Sequence, residues 1–424
     1  MPSKEKRFFY GWVIVAVATF ALVVSNGLAI GGLPVFYKPI QEDLLRLGTI
    51  TPETADRVTG DAASLTFILA GIFSLIAGGL LRWFSIRKLM IAGCLFLGGG
   101  LAVYSFASLP WHIYLCHALL GLSLGFVGVM MQTVLIAKWF RSRRGLAIGI
   151  VLTGTSIGGV LVPIISRPLI VEYGWRSAML IVSSVVWLVL LPAIVLFVKE
   201  NPSETQTTSR SGFVPERVEA VGGLSLSEAV RTPSFWMLAL CAASIFYPIF
   251  TTSQQFILHI QKSPSIGIDA GTASVAQSFL FATSVGGKFL FGWLSDRLRT
   301  TRVMIICCGV MFLATLLLLG FLTAGTVFLF LIPFGIGYGG TFVLLQLLAA
   351  EMFGLKDIGK IIGALTVVET AGAALGGMVT GRLAAAHAGD YTIAFYGVTI
   401  AAGVALGSVV LLDRIYKPAP PERS

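Results

Sequence analysis

Runs of about twenty apolar residues, repeated from one end of the chain to the other, constrain this sequence more than any other feature. About twelve can be read, centred near Val24, Ile72, Leu97, Gly125, Leu152, Trp187, Ile245, Leu280, Met311, Gly337, Ala373 and Val404. Each is long enough to cross the hydrocarbon core of a bilayer as a helix. No water is available there, so each segment must satisfy its own backbone N–H and C=O groups. Twelve helices of about 22 residues would take up around 60% of the 424 residues. Composition agrees: 56% of residues are hydrophobic, 12% are charged and the mean hydropathy is +0.88. The charged share is about half that of a soluble domain, which excludes an ordinary water-soluble enzyme, a disordered chain and a nucleic-acid-binding domain. The expected fold class is an all-α membrane protein.

The formal net charge of +10 is best read as a topology signal. Alternate short loops carry Arg82/Arg87/Lys88, Lys138/Arg141/Arg143/Arg144, Arg297/Arg299/Arg302 and Lys356/Lys360, whereas Ser108–Pro110 and Thr323–Gly325 on the opposite side carry no charge. Basic loops stay on the cytoplasmic side, so both termini are expected there, in a multi-pass protein of the plasma (inner) membrane. The first apolar run, from Tyr10, is too long for a signal peptide and has no small-residue cleavage site. Cys94, Cys116, Cys241, Cys307 and Cys308 all fall inside apolar runs, without the spacing of a zinc site or disulfide framework.

One polar stretch is long enough to be a linker, from Lys199 to about Thr232, between the sixth and seventh runs. It divides the chain into an N-terminal six-helix bundle (1–198), a cytoplasmic linker (199–232) and a C-terminal six-helix bundle (233–424). The halves look related. Gly292-Trp293-Leu294-Ser295-Asp296-Arg297 follows the eighth run where Gly78-Gly79-Leu80-Leu81-Arg82-Trp83 follows the second, and Phe235-Trp236 opens the seventh run much as Tyr10-Gly11-Trp12 opens the first. Two pseudo-symmetric six-helix halves are a common build of secondary transporters, with the substrate site at the midplane between them.

These residues resemble the major facilitator superfamily over essentially the whole chain. Gly292 to Arg302 is similar to its G-x-x-x-D-R-x-x-x-x-R motif, with Asp296, Arg297 and Arg302 in the charged positions. The first-half copy departs from it, with Arg82 in place of Asp and Trp83 in place of Arg. Lys138-Trp139-Phe140-Arg141-Ser142-Arg143-Arg144-Gly145-Leu146-Ala147 resembles a stretch of the monocarboxylate transporter and oxalate:formate antiporter branch. Phe9-Tyr10-Gly11-Trp12 and the stretch from Phe353 to Gly363 are also similar to that branch. Two departures stand out: Ser25-Asn26-Gly27 carries no acid where animal monocarboxylate carriers have one, and Gly128 and Met130 replace the branch's Tyr-x-Pro. The resemblance implies a secondary transporter, not an enzyme. It would move a small organic anion, a monocarboxylate above all, by proton symport or anion exchange.

Lys288 is the most informative single residue. It lies eight positions before Asp296, about 12 Å along a helix, at a depth where a basic side chain costs about 3 kcal/mol to insert. Gln277, Ser284 and Ser295 share its helical face, a polar stripe expected to wall an aqueous cavity. The branch resemblance implies more, because a basic residue stands four positions before the motif glycine there and receives the substrate carboxylate; Lys288 holds that position relative to Gly292. Snorkelling to the interface is the competing reading. Glu369 is the second charge inside an apolar run. It is expected either to pair with Lys288 or to carry the proton.

Asn26, Gln132, Tyr247, Gln254 and Tyr338 are polar groups on the four helices that line the cavity in the superfamily, and Asn26, Tyr247, Gln254 and Tyr338 are carried forward as candidate substrate contacts. His259 joins them through its resemblance to a branch histidine, while His117 is open to a structural or a titrating role. Arg143 and Arg144 join Gly292, Asp296, Arg297 and Arg302 as candidate conformational-motif residues. Glycine patterns such as Gly154/Gly158 and Gly372/Gly376 read as packing faces rather than phosphate loops. No cofactor, metal or nucleic acid is expected; the expected partners are an organic anion, a proton or counter-anion and the lipid bilayer, and the chain is expected to act as a monomer.

Two other functions compete: an efflux carrier for lipophilic or cationic compounds, which would give Glu369 the main role, and a membrane sensor or intramembrane enzyme, against which the short tails argue. The topology itself is testable. Reporter fusions at Ser424 and within 199–229 should both report the cytoplasm, and a signal from the opposite side at either point would overturn the assignment.

Overall fold

The computed structural model describes residues 9–140, 144–200, 223–263, 266–295, 297–354 and 356–416. Most of the expected linker, 201–222, therefore lies outside the described residues, as do Arg143 and Asp296 and the side chain of Arg144. Among the described residues twelve membrane-length helices appear. They are α1 Gly11–Gly32, α2 Pro52–Leu80, α3 Ile86–Tyr104, α4 Pro110–Ile136, α5 and α6 within Ala147–Phe197, α7 Pro233–Lys262, α8 Ala270–Ser295, α9 Thr300–Leu318, α10 Val327–Phe353, α11 Lys360–Ala386 and α12 Thr392–Ile415. The 51-residue helical stretch Ala147–Phe197 is two spans, because Gly174 interrupts it at φ 77°. That left-handed backbone is open to glycine at little cost, and it turns the chain back at the membrane surface.

Local signals fix where helices begin. Pro52, Pro110 and Pro233 each occupy a first-turn position, where the missing N–H costs nothing. Ser85 and Thr232 cap α3 and α7 by accepting from the backbone N–H groups of Lys88 and Phe235 at 3.3 Å. Large apolar side chains such as Leu188, Leu196 and Ile400 remain exposed on the outside of the bundle, as a lipid-facing surface requires.

The two halves pack alike. α2 against α4, α3 against α4 and α1 against α5 recur as α8 against α10, α9 against α10 and α7 against α11. Between halves, α2 lies along α11 and α8 lies along α5, a pair of seams related by the same offset of six helices. Detail follows the repeat too: Arg87 donates to the carbonyl of Val195 as Arg299 donates to that of Tyr416, and Arg82 stacks on Trp83 as Arg297 stacks on Trp293, both at 3.9 Å. Phe9 and Tyr416 lie on one face, called the terminal face below; the opposite one is the distal face.

Close helix contact depends on glycine. A methyl group added at Gly339 of α10 would lie 1.9 Å from the Ser284 carbonyl oxygen of α8. At Gly149, nothing lies within 4 Å. We therefore expect Gly339→Ala to lower stability by about 1–3 kcal/mol through overpacking, and Gly149→Ala to leave it within about 0.5 kcal/mol. Thermal unfolding of the detergent-purified protein checks both; equal melting temperatures for the two variants would contradict the packing.

Candidate functional site

Between the halves lies a cavity of about 110 Å³, lined by residues of α1, α2, α4, α5, α7, α10 and α11. Its apolar walls are Phe67, Phe246, Phe250 and Phe342 with Ile30, Leu124 and Leu152. Asn26, Ser74, Thr133, Gln346, Thr366, Glu369 and Thr370 supply the polar groups. Glu369 is the one charged side chain among the lining residues, and it is 6% exposed. Its carboxyl group sits beside the Thr366 hydroxyl one turn away. Gly372 and Gly376, on the next turns of α11, lie against the α7 backbone at Ala243 and Tyr247, which holds this part of α11 close to α7.

The distal end is shut. Phe67 of α2 and Phe250 of α7 meet with ring centroids 4.3 Å apart across the halves. Beyond them Lys262 donates to Asp56 at 2.5 Å and to Gln41 at 3.3 Å, and Gln41 in turn donates to Asp56 and Thr59. Arg382 of α11 reaches Asp61 of α2 at 3.1 Å. Among the described residues these two ion pairs, Lys262–Asp56 and Arg382–Asp61, are the ones that join the halves, and both are distal.

Lys288 is 4% exposed and does not project into this cavity. Its ammonium crosses the α5–α8 seam and donates to the Leu152 carbonyl at 2.8 Å, Thr155 Oγ1 at 2.8 Å and Ser156 Oγ at 2.6 Å. It lies 5.7 Å from the centroid of the Phe342 ring. Since Leu152 and Phe342 both line the cavity, the charge waits one side chain behind the wall. Two more of its stripe find partners on neighbouring helices: Ser284 meets Ser156 at 2.7 Å and Gln277 donates to the Ser253 carbonyl at 2.6 Å, while Ser295 donates to the Gly292 carbonyl of its own turn. The expectation that this stripe walls open water is thereby corrected, because packing against α5 and α7 supplies the partners instead. Direct pairing of Lys288 with Glu369 is not found among the described ion pairs either; helix 5 oxygens hold the ammonium.

The other expected contacts separate in the same way. Asn26 lines the cavity and donates to Ser25 Oγ at 3.3 Å. Gln254 ties α7 to α1, donating to the Ile30 carbonyl at 3.0 Å and accepting from Tyr37 at 2.7 Å. Tyr247 points away from the cavity, its hydroxyl beside Gly397 of α12. Tyr338 packs edge-on between Phe281 and Phe342. His259 stacks on Phe395 at 4.4 Å and meets Ser263 at 3.0 Å, at the distal end. His117 has both ring nitrogens engaged, by Thr66 at 2.8 Å and Tyr104 at 3.2 Å, which is a structural arrangement.

Sequence reasoning missed two features of the site. At Gly128 the α4 backbone leaves the helix for an extended conformation, and an 11-residue helix, Val129–Trp139, restarts there. Gly128, Val129 and Met130 line the cavity. The first N–H groups of a restarted helix have no intrahelical acceptor and carry the positive end of its dipole. Gln132 takes up the freed Val127 carbonyl at 2.9 Å. A glycine where a relative has Tyr-x-Pro was the available signal. Gln346 was missed too, although a polar residue inside so apolar a run as α10 marks itself.

The model of the Major Facilitator Superfamily matches residues 15–377 and, separately, 256–424. The chain belongs to the major facilitator superfamily. As a superfamily member it is a secondary transporter rather than an enzyme, and it is similar to several named relatives. Human "Monocarboxylate transporter 12" is 25% identical, with 96% of this chain and 82% of that protein covered. "MFS transporter asaE" of Aspergillus flavus is 26% identical over 78% of this chain and 72% of that protein. Among solved structures, a bacterial homologue of the human lysosomal transporter Spinster superposes with a TM-score of 0.70 at 16% identity, covering 99% of this chain and 100% of that one.

Among the described residues Lys288 and Glu369 share no partner. The stability losses of Lys288→Met and Glu369→Gln should therefore add to within about 0.5 kcal/mol. Chemical unfolding of the single and double variants measures this, and recovery of stability in the double variant would show that the two charges are coupled.

Proposed function

We propose that this facilitator carries a small organic anion, a monocarboxylate above all, by alternating access between two six-helix bundles. Lys288 is the carrying observation: a buried cation, on the seam between the halves, one side chain from the cavity. Burying such a group costs several kcal/mol unless its environment compensates, and a transported carboxylate is a stronger acceptor for it than any neutral oxygen. The restarted helix at Val129 adds a second positive feature, this one already on the cavity surface. The similarity to proteins named monocarboxylate transporters supports the same class of substrate.

Glu369 is the proton site in this reading. A carboxyl group facing a mostly apolar cavity is neutral when the proton is loaded and charged when it is lost, which couples proton movement to the anion; anion exchange is the alternative coupling. The basic loops support a cytoplasmic terminal face; with the distal end shut, the conformation is read as inward-facing. The bundles are assigned to 1–198 and 233–424, joined by the cytoplasmic segment 199–232, in a monomer of the plasma (inner) membrane. Arg297, Arg302, Arg143, Arg144 and Asp296 with Gly292 are assigned to the cytoplasmic conformational motif.

One observation favours a second reading. The cavity surface carries Glu369 and four phenylalanines and no basic side chain, a lining suited to a lipophilic cation. Labelled L-lactate, formate and oxalate, and a lipophilic cation such as tetraphenylphosphonium, should be offered to proteoliposomes with and without a pH gradient. The anion reading expects gradient-stimulated uptake of a carboxylate, its loss in Lys288→Ala and loss of the stimulation in Glu369→Gln. Movement of the cation alone, unaffected by Lys288→Ala, would establish the second reading and end the first.

A further inference from the structure

The oxygens that hold Lys288 form a closed hydrogen-bond network. An ammonium group has three N–H donors, and all three are used at 2.6–2.8 Å. Every acceptor comes from one turn of α5, in the half opposite the lysine. The hydroxyl protons have places to go as well. Thr155 donates to the Leu152 carbonyl at 2.9 Å, Ser284 donates to the Phe281 carbonyl at 2.7 Å, and Ser156 is thereby left to donate to Ser284 at 2.7 Å. Both Thr155 and Ser156 then accept from Lys288 with free lone pairs. No donor in the group is left over, and a fully satisfied buried network fixes one geometry.

We propose that Thr155, Ser156 and the Leu152 carbonyl are a resting cradle for Lys288, and that the transported anion must displace them to bind. The proposal rests on the reading of Lys288 as the anion-receiving group. Thr155 and Ser156 are positioning residues: they keep the ammonium behind the Leu152–Phe342 wall while the carrier is empty. A carboxylate arriving at that wall offers the ammonium acceptors that are themselves charged, in exchange for neutral oxygens, so the swap runs toward the anion. The cradle lies in one half and the lysine in the other, so the same swap unfastens α8 from α5. Binding is thereby linked to helix separation through a difference in contacts between two states. In the empty carrier the Lys288 ammonium is therefore fully satisfied.

Amine acetylation of the purified full-length protein by acetic anhydride, read by peptide mass spectrometry, tests the cradle without any substrate. Lys360, on the terminal face with its side chain 69% exposed, serves as the internal reference. In the native protein Lys288 should label at least about tenfold more slowly than Lys360, and in Thr155→Val/Ser156→Ala its rate should rise by about tenfold. The exchange of hydroxyl residues, Thr155→Ser/Ser156→Thr, should restore the native rate. Should the double variant fail to fold, Ser156→Ala alone loses the 2.6 Å bond and should show a several-fold rise. Ser156→Ala should also lower the KM for L-lactate several-fold, because the resting interaction that competes with the anion is weakened. Equal labelling of Lys288 in native and variant proteins, or a raised KM in Ser156→Ala, would overturn the cradle. Undiminished L-lactate uptake by Lys288→Ala, with labelling as expected, would instead overturn the anion-binding reading and leave the cradle standing.

Discussion

An ammonium group inside a hydrocarbon slab has to find three acceptors, and in this protein it finds them across the interface between the two halves. The bonds from Lys288 to Leu152, Thr155 and Ser156 determine what the surrounding structure must do. Helix 8 has to approach helix 5 closely along this seam, and it does so with small or hydroxyl side chains facing each other at Ser156–Ser284 and with Ser278 donating to the Val160 carbonyl at 3.1 Å. Helix 10 has to press on helix 8 from behind, which Gly339 permits. The cavity is then left with an aromatic surface carrying amide, hydroxyl and carboxyl groups, and the Lys288 cation is held just behind its wall.

The same constraint explains the asymmetry between the two faces. Ion pairs between halves occur distally, where Asp56 and Asp61 meet Lys262 and Arg382. Charges at the membrane surface can be shared between halves at small cost and released by water. Deeper in, charge can be shared only through a hydrogen-bonded network, because an uncompensated one is expensive. A carrier built this way has a polar clasp at one face and, among the described residues, the Lys288 cation buried within a membrane span. Separating the halves at either place means replacing one set of partners by another.

Twelve spans and two related halves follow from hydropathy and motif repetition, which are local properties of the chain. So does the importance of Lys288 and Glu369, because a charge in an apolar run is costly wherever it sits. What could not be read was the side of the helix on which each partner waits. Gln254, Tyr247 and Tyr338 are polar groups in apolar runs, but such a residue announces only that it needs a partner. Tyr37, the backbone at Gly397, and two phenylalanine rings turned out to be the surroundings. Thr155 and Ser156 are separated from Lys288 by more than 130 positions, and serine or threonine within a helix ordinarily bonds its own preceding turn. No periodicity could bring them together.

The central claim is that Lys288 exchanges helix 5 oxygens for an anion and that this loosens the α5–α8 seam. Spin labels at Gly149→Cys and Gly286→Cys, two positions at which an added side chain meets nothing within 4 Å, report on that seam by electron paramagnetic resonance. All five native cysteines are buried, so the labels go to the introduced sites. The account predicts that saturating L-lactate changes the inter-label distance distribution in the protein with Lys288 and leaves it unchanged in Lys288→Ala. Identical spectra with and without the anion in the lysine-containing carrier would contradict it.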